Sequence, residues 1–158
     1  MNADETAQGK RTHEILAVPG VAAALARHAG AWFPKECCAL LLDGAAGPEL
    51  VLAENLADKY HALDPETFPR TAERAYVLDP RLIARAEGDG KTLVAIAHSH
   101  CRVGAYFSDE DVRAALSPFD DGPLYPGVDY VVLDAQEGEV RGYKVFGWSV
   151  ARRAFVEV

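Results

Sequence analysis

The sequence predicts a single α/β domain, on three observations. Short apolar runs bounded by turn residues recur along the chain and read as buried strands. Between them lie stretches with helix start and stop signals. The chain's 158 residues, 49% hydrophobic and 25% charged, suffice for one core that removes about two-thirds of the unfolded surface from water. Disorder, collagen and coiled coil do not fit this composition.

Residues 1–13 are acidic at first, then basic at Lys10 and Arg11. They read as a flexible tail ahead of a domain over 14–158. Residues 15–30 are alanine-rich, with Pro19 placed for a first helical turn and Gly30 for the end. His28 falls near that end, as a solvated complement to the helix dipole. Pro34 stops any helix. Glu36-Cys37-Cys38-Ala39-Leu40-Leu41-Leu42, closed by Asp43-Gly44, predicts a buried strand, and Glu49–Glu54 a second. Residues 55–75 read as a long polar loop, with His61 solvated; such a length is more often functional than decorative. Tyr76–Leu78 reads as a short strand. Asp79-Pro80 starts a helix to Ala86, closed by Gly88-Asp89-Gly90. Thr92–Ala97 is the best buried-strand candidate and runs straight into His98-Ser99-His100. A helix over Ser108–Leu116 follows, then strands at Tyr130–Leu133 and Arg141–Trp148 joined by a turn at Glu137-Gly138. Trp32, Phe33 and Trp148 read as core.

With 16 basic and 24 acidic residues the net charge is −8. That argues against a surface built to grip nucleic acid or an anionic membrane. No run of 18 apolar residues occurs, and the first residues lack the basic-then-apolar order of a signal peptide. Three cysteines, two of them adjacent at 37 and 38, make no disulfide framework. The expectation is a reduced, cytoplasmic protein.

The chemistry concentrates in residues 98–111. His98 and His100, two apart on a strand, share one face. Asp111 lies one turn into the next helix and can return to the same spot. Two imidazoles and a carboxylate are a familiar ligand set for catalytic zinc, with a fourth position left for water. Zinc lowers the pKa of such a water to about 7 and polarises a carbonyl. A general base is then needed, worth about 10²–10⁴ in rate. Glu36, at the mouth of an apolar strand, is the candidate. Each residue alone has an ordinary reading: strand-end histidines, a solvated glutamate, and a helix capping box in Ser108-x-x-Asp111. The combination His-x-His-x7-Ser-x2-Asp arises by chance in about three chains per ten thousand of this composition, which favours the joint reading. A capping box would also fix where Asp111 points.

At these residues the chain resembles the JAMM metallopeptidases, the MPN/Mov34/PAD-1 family. The flanks match as well: residues 36–42 look like the family's first strand. Leu124-Tyr125-Pro126-Gly127 ahead of Tyr130-Val131-Val132 looks like its bacterial members. The resemblance spans residues 15–148 and implies an MPN-like, cytidine-deaminase-like domain: a central mixed, curved sheet with flanking helices. It implies that His98, His100 and Asp111 bind Zn2+, that Glu36 is the acid/base, and that Ser108 hydrogen-bonds the oxyanion. It also implies a substrate: a ubiquitin-like or sulfur-carrier β-grasp protein, cut at the peptide or isopeptide bond after its C-terminal Gly-Gly. A small-molecule zinc amidohydrolase and a non-catalytic MPN scaffold module are the alternatives. Two features depart from the family. Cys101 stands where proline commonly follows the second histidine, as a small loop residue, a competing ligand or an oxidation point. There is also little room for the insertions that clamp a particular ubiquitin linkage. Arg102, Tyr106 and Phe107 lie between ligands, where a peptide tail would pass, although packing is as good a role for the two aromatics.

Overall fold

The computed structural model describes residues 9–158. Among these are five helices, α1 (Lys10–Leu16), α2 (Val21–Trp32), α3 (Ala57–Leu63), α4 (Pro80–Gly88) and α5 (Asp109–Ala115). Six strands form one sheet: β1 (Cys38–Asp43), β2 (Glu49–Ala53), β3 (Thr92–Cys101), β4 (Asp129–Gln136), β5 (Glu139–Ser149) and β6 (Ala154–Glu157). Their order is β2-β1-β3-β4-β5-β6. Only β3 and β4 run parallel, so the sheet is mixed. This is the predicted α/β class.

The two sheet faces follow from strand alternation. Cys37, Ala39 and Leu41, with Ala95, Ala97, Val131 and Leu133, pack under α1 and α2 through Ile15, Leu25 and Ala29. Leu40, Leu42 and Ile96 point the other way, against Ile83 and Ala86 of α4 and Ala115 of α5. Because β1 and β3 are covered on both faces, their sequences are apolar throughout rather than alternating.

Several local expectations are corrected. The tail predicted for 1–13 becomes helix at Lys10, and Thr12 is wholly buried, its hydroxyl donating to Asp129 at 2.6 Å; residues 1–8 lie outside the described residues. The predicted helix over 15–30 is two helices, broken at Ala17–Gly20, where Pro19 removes a backbone donor and Gly20 takes φ +90°. The second helix continues through Gly30 to Trp32. The polar stretch 55–75 contains α3, too short for periodicity to betray. Tyr76–Leu78 is not a strand: Val77 donates to the Asn55 side chain and accepts from Leu56, so it joins no ladder. β6 was not foreseen. His28 is not solvated, since its Nε2 lies 3.0 Å from the Cys38 carbonyl and 3.2 Å from that of Ala53. His61 sits on α3 with its Nδ1 2.8 Å from the Phe68 carbonyl.

No single helix among the described residues is long and apolar enough to cross a membrane. The three cysteines are unpaired.

Candidate metal centre

β3 delivers two imidazoles. His98 and His100 share the face of Ile96 and come to the carboxyl end of the strand, beside the parallel strand β4. Ligand sites favour that end of a parallel pair. Both are buried, His98 completely. Their Nε2 atoms stand 3.2 Å apart.

α5 supplies the carboxylate. Ser108 caps the helix: its hydroxyl oxygen accepts the Asp111 N–H at 3.1 Å, and its own N–H donates to Asp111 Oδ2 at 3.0 Å. This reciprocal box leaves the carboxylate few orientations. Asp111 Oδ1 lies 3.2 Å from His98 Nε2, and Oδ2 lies 3.1 Å from His100 Nε2. The loop before the cap is pinned by Phe107, whose ring packs 5.1–5.3 Å from those of Tyr130, Phe146 and Phe155. Phe107 is therefore a core residue. Tyr106 is half-exposed and meets His100 edge-on at 4.8 Å. Arg102 lies over the Phe33 ring.

Glu36 precedes β1 on the face of Cys38, which is paired with His98. It is 6% exposed, and one of its oxygens, His98 and His100 each offer a donor atom within 4.8 Å of the other two. Its backbone is clamped from both sides. The Glu36 N–H donates to the Ala72 carbonyl at 2.7 Å, and the Glu36 carbonyl accepts from Asn55 Nδ2 at 2.9 Å. Asn55 also donates to the Ala75 carbonyl and accepts from Ala57 and Val77, so every hydrogen-bonding position of its buried amide is used. Ser99, between the two histidines, accepts the Cys37 N–H at 2.8 Å. These contacts hold Glu36 against β3. The sequence reading missed Asn55 and Ser99, whose partners are distant backbone groups that no motif announces.

Two further features concern the imidazoles. Tyr76 stacks on His98 with centroids 4.4 Å apart and planes 20° from parallel. His100 Nδ1 donates to the Gly104 carbonyl at 3.2 Å when it carries the proton, which turns the Nε2 lone pair toward Asp111. His98 Nδ1 has no hydrogen-bond partner among the described residues. Cys101 alternates away from His100 toward the core under α1 and α2. Burial pushes its thiol up to about 11, so it stays protonated at neutral pH and makes a poor competing ligand.

The electrostatics call for a positive charge at the centre. Burial alone would raise the Asp111 carboxyl, but hydrogen bonds with His100 and His98 hold it well below the usual carboxylate range. For His100 burial is outweighed by Asp111, and its pKa rises; for His98 burial prevails, and its pKa falls. Burial raises Glu36 to about 8, a state that a nearby cation would reverse. The donor set also fits a metal by shape. Tetrahedral zinc with bonds of about 2.0 Å needs ligand atoms roughly 3.3 Å apart; the two Nε2 atoms stand 3.2 Å apart, and each has an Asp111 oxygen at 3.1–3.2 Å, Oδ1 for His98 and Oδ2 for His100. The residues present thus fit a small divalent cation.

Residues 19–145 match the family described as prokaryotic homologs of the JAB domain. No curated protein matches the chain. Among solved structures, the chain is similar to a protein from Salinibacter ruber at 22% identity and TM-score 0.55, over 89% of this chain and 86% of that one. It is likewise similar to one from Desulfitobacterium hafniense at 18% identity and TM-score 0.55, over 87% and 84%. At these identities the likeness is one of fold.

Proposed function

The chain belongs to the prokaryotic homologs of the JAB domain, and from this membership we propose that it is a zinc-dependent peptidase. Its substrate is a ubiquitin-like or sulfur-carrier β-grasp protein, cut at the bond after a C-terminal Gly-Gly. The observation that carries the reading is the convergence of His98, His100 and Asp111 at 3.1–3.2 Å with buried Glu36 against them. In a scaffold module the buried Glu36 beside His98, His100 and Asp111 would carry a desolvation cost with no ligand to offset it.

His98, His100 and Asp111 hold the metal in this reading. Bound zinc supplies Lewis acidity toward the scissile carbonyl and makes water ionisable near neutral pH. Glu36 takes the water's proton and passes it to the leaving nitrogen. Its clamped backbone keeps the carboxylate in place between the two transfers. Ser108 spends only its acceptor on the helix cap, so its O–H is free to donate to the oxyanion, a contribution of about 3–4 kcal/mol in comparable sites. The test is incubation of the zinc-loaded chain with β-grasp proteins extended past Gly-Gly, read by intact mass. Cleavage at that bond, lost in Glu36→Gln, is expected. Unaltered substrate with every candidate refutes the reading.

A further inference from the structure

Tyr76 has two neighbours. One is His98, stacked on its ring at 4.4 Å. The other is a cavity of about 170 Å³ between α4, α5 and the sheet. None of Glu36, His98, His100 and Asp111 lines this cavity, so it is separate from the metal centre. Its walls are apolar at Leu78, Ile83 and Ile96 and aromatic at Tyr76, Tyr125 and Tyr130, and no charged side chain lines it. None of the three phenol hydroxyls has a hydrogen-bond partner among the described residues. A buried tyrosine hydroxyl usually finds one. Tyr130 is 3% exposed. Its oxygen is unpartnered without being sealed from solvent, and the cavity it lines is the space it opens on. Burial raises the Tyr76 and Tyr130 hydroxyls above their ordinary 10, so both keep their protons at neutral pH and can donate. Tyr125 is near enough to act on Tyr130, and Tyr130 on Tyr76, which puts the three groups in one region.

We propose that this cavity is a binding site for a small neutral aromatic molecule, a single six-membered ring whose polar substituent hydrogen-bonds Tyr130. The size follows from the volume. An apolar cavity of about 150 Å³ takes up a benzene, so this one holds one ring and a small substituent. The neutrality follows from the walls, since a charge placed here would lose its water and find no opposite charge. The aromatic character follows from the three tyrosines, whose faces and edges favour a flat ring over an aliphatic one. The face of Tyr76 that meets His98 is taken, so the occupant meets its other face or its edge. The substituent supplies what the fold leaves out, a partner for a buried hydroxyl. The inference is independent of the peptidase reading, whose failure would leave it standing.

The test titrates phenol, cyclohexanol and toluene into the zinc-loaded full chain, followed by NMR. Phenol and cyclohexanol share a hydroxyl and differ in flatness; toluene is flat and has no hydroxyl. Phenol should bind saturably, shift the signals of Ile83 and Ile96, and exceed cyclohexanol in affinity by about 2- to 12-fold, the range of an aromatic pair. Tyr130→Phe removes an oxygen that holds no internal bond. It should weaken phenol by about 2- to 12-fold, the range of one hydrogen bond, and leave toluene as tight as before. Ala114→Trp, at an exposed wall position on α5, should fill the cavity and abolish binding of both rings. Cyclohexanol binding as tightly as phenol overturns the aromatic assignment, and equal phenol affinity in the parent and Tyr130→Phe overturns the role of the hydroxyl. Phenol shifts confined to His98 and His100, or binding unchanged in Ala114→Trp, would place the ring elsewhere and overturn the site.

Discussion

Ser108 and Asp111 are bound to each other twice, hydroxyl oxygen to N–H at 3.1 Å and N–H to carboxylate at 3.0 Å. One reciprocal pair thus starts α5 and aims a carboxylate at two imidazoles. Structure and chemistry share the same atoms here, so substitutions should affect both. Ser108→Ala should lose about 1 kcal/mol of stability with the cap, a few degrees in Tm for a chain of this size. It should also slow turnover by about 10²–10³. A Tm loss with unchanged turnover would restrict Ser108 to capping.

Glu36→Gln should keep stoichiometric zinc and lose about 10²–10⁴ in kcat. His98→Ala should lose the metal itself. Metal content by mass spectrometry, read beside activity, separates the two. Normal turnover in Glu36→Gln would remove it from the proton path.

Tyr76 orients His98 by stacking, in place of the hydrogen bond that a ligating imidazole usually makes through its other nitrogen. Tyr76→Phe keeps the ring and should bind zinc as the parent does. Tyr76→Ala should weaken zinc by about 10- to 100-fold in a chelator competition. Equal affinities in all three would mean that the stack does not position the ligand.

Asn55→Ala leaves buried backbone groups at Glu36, Ala57, Ala75 and Val77 without partners, at about 1–3 kcal/mol for each that water cannot reach. Since the Glu36 carbonyl is among them, kcat should fall further than zinc affinity. Parallel titrations of metal and substrate would show whether the two separate.

Burial raises the Asp129 carboxyl above its ordinary 3.8, against the hydrogen bond from Thr12. The folded state therefore holds this proton more tightly than the unfolded chain does. The resulting stabilisation is full below about pH 3.8 and is lost as pH rises through the folded-state value. Asp129→Asn removes the titration and keeps an acceptor for Thr12. Its Tm should decline less than the parent's across that window, and a parallel decline would show that Asp129 does not titrate there.

Much of this protein was legible before folding. The strands β1 and β3 announced themselves because a strand covered on both faces must be apolar throughout, and His98 and His100 because alternate strand residues share a face. The pairing of Ser108 with Asp111 was equally readable, since a capping box spans only three residues. Asn55, Ser99 and Tyr76 were not. Each acts on a partner 19 to 62 residues away, and nothing in local spacing encodes which strand will lie beside which. Likewise His28 read as a solvated helix end because the Cys38 and Ala53 carbonyls that receive it come from two other elements.

The sequence by itself determined the central strands β1 and β3 with their two-sided burial, the capped start of α5 and the identity of the ligand-type residues, all of which follow from short-range periodicity and local capping. The tertiary structure alone decided that Glu36 reaches the imidazoles and that a buried amide and a polar loop hold it there. Those relations depend on strand order and on long-range hydrogen bonds, which exist only once the sheet has closed around its core.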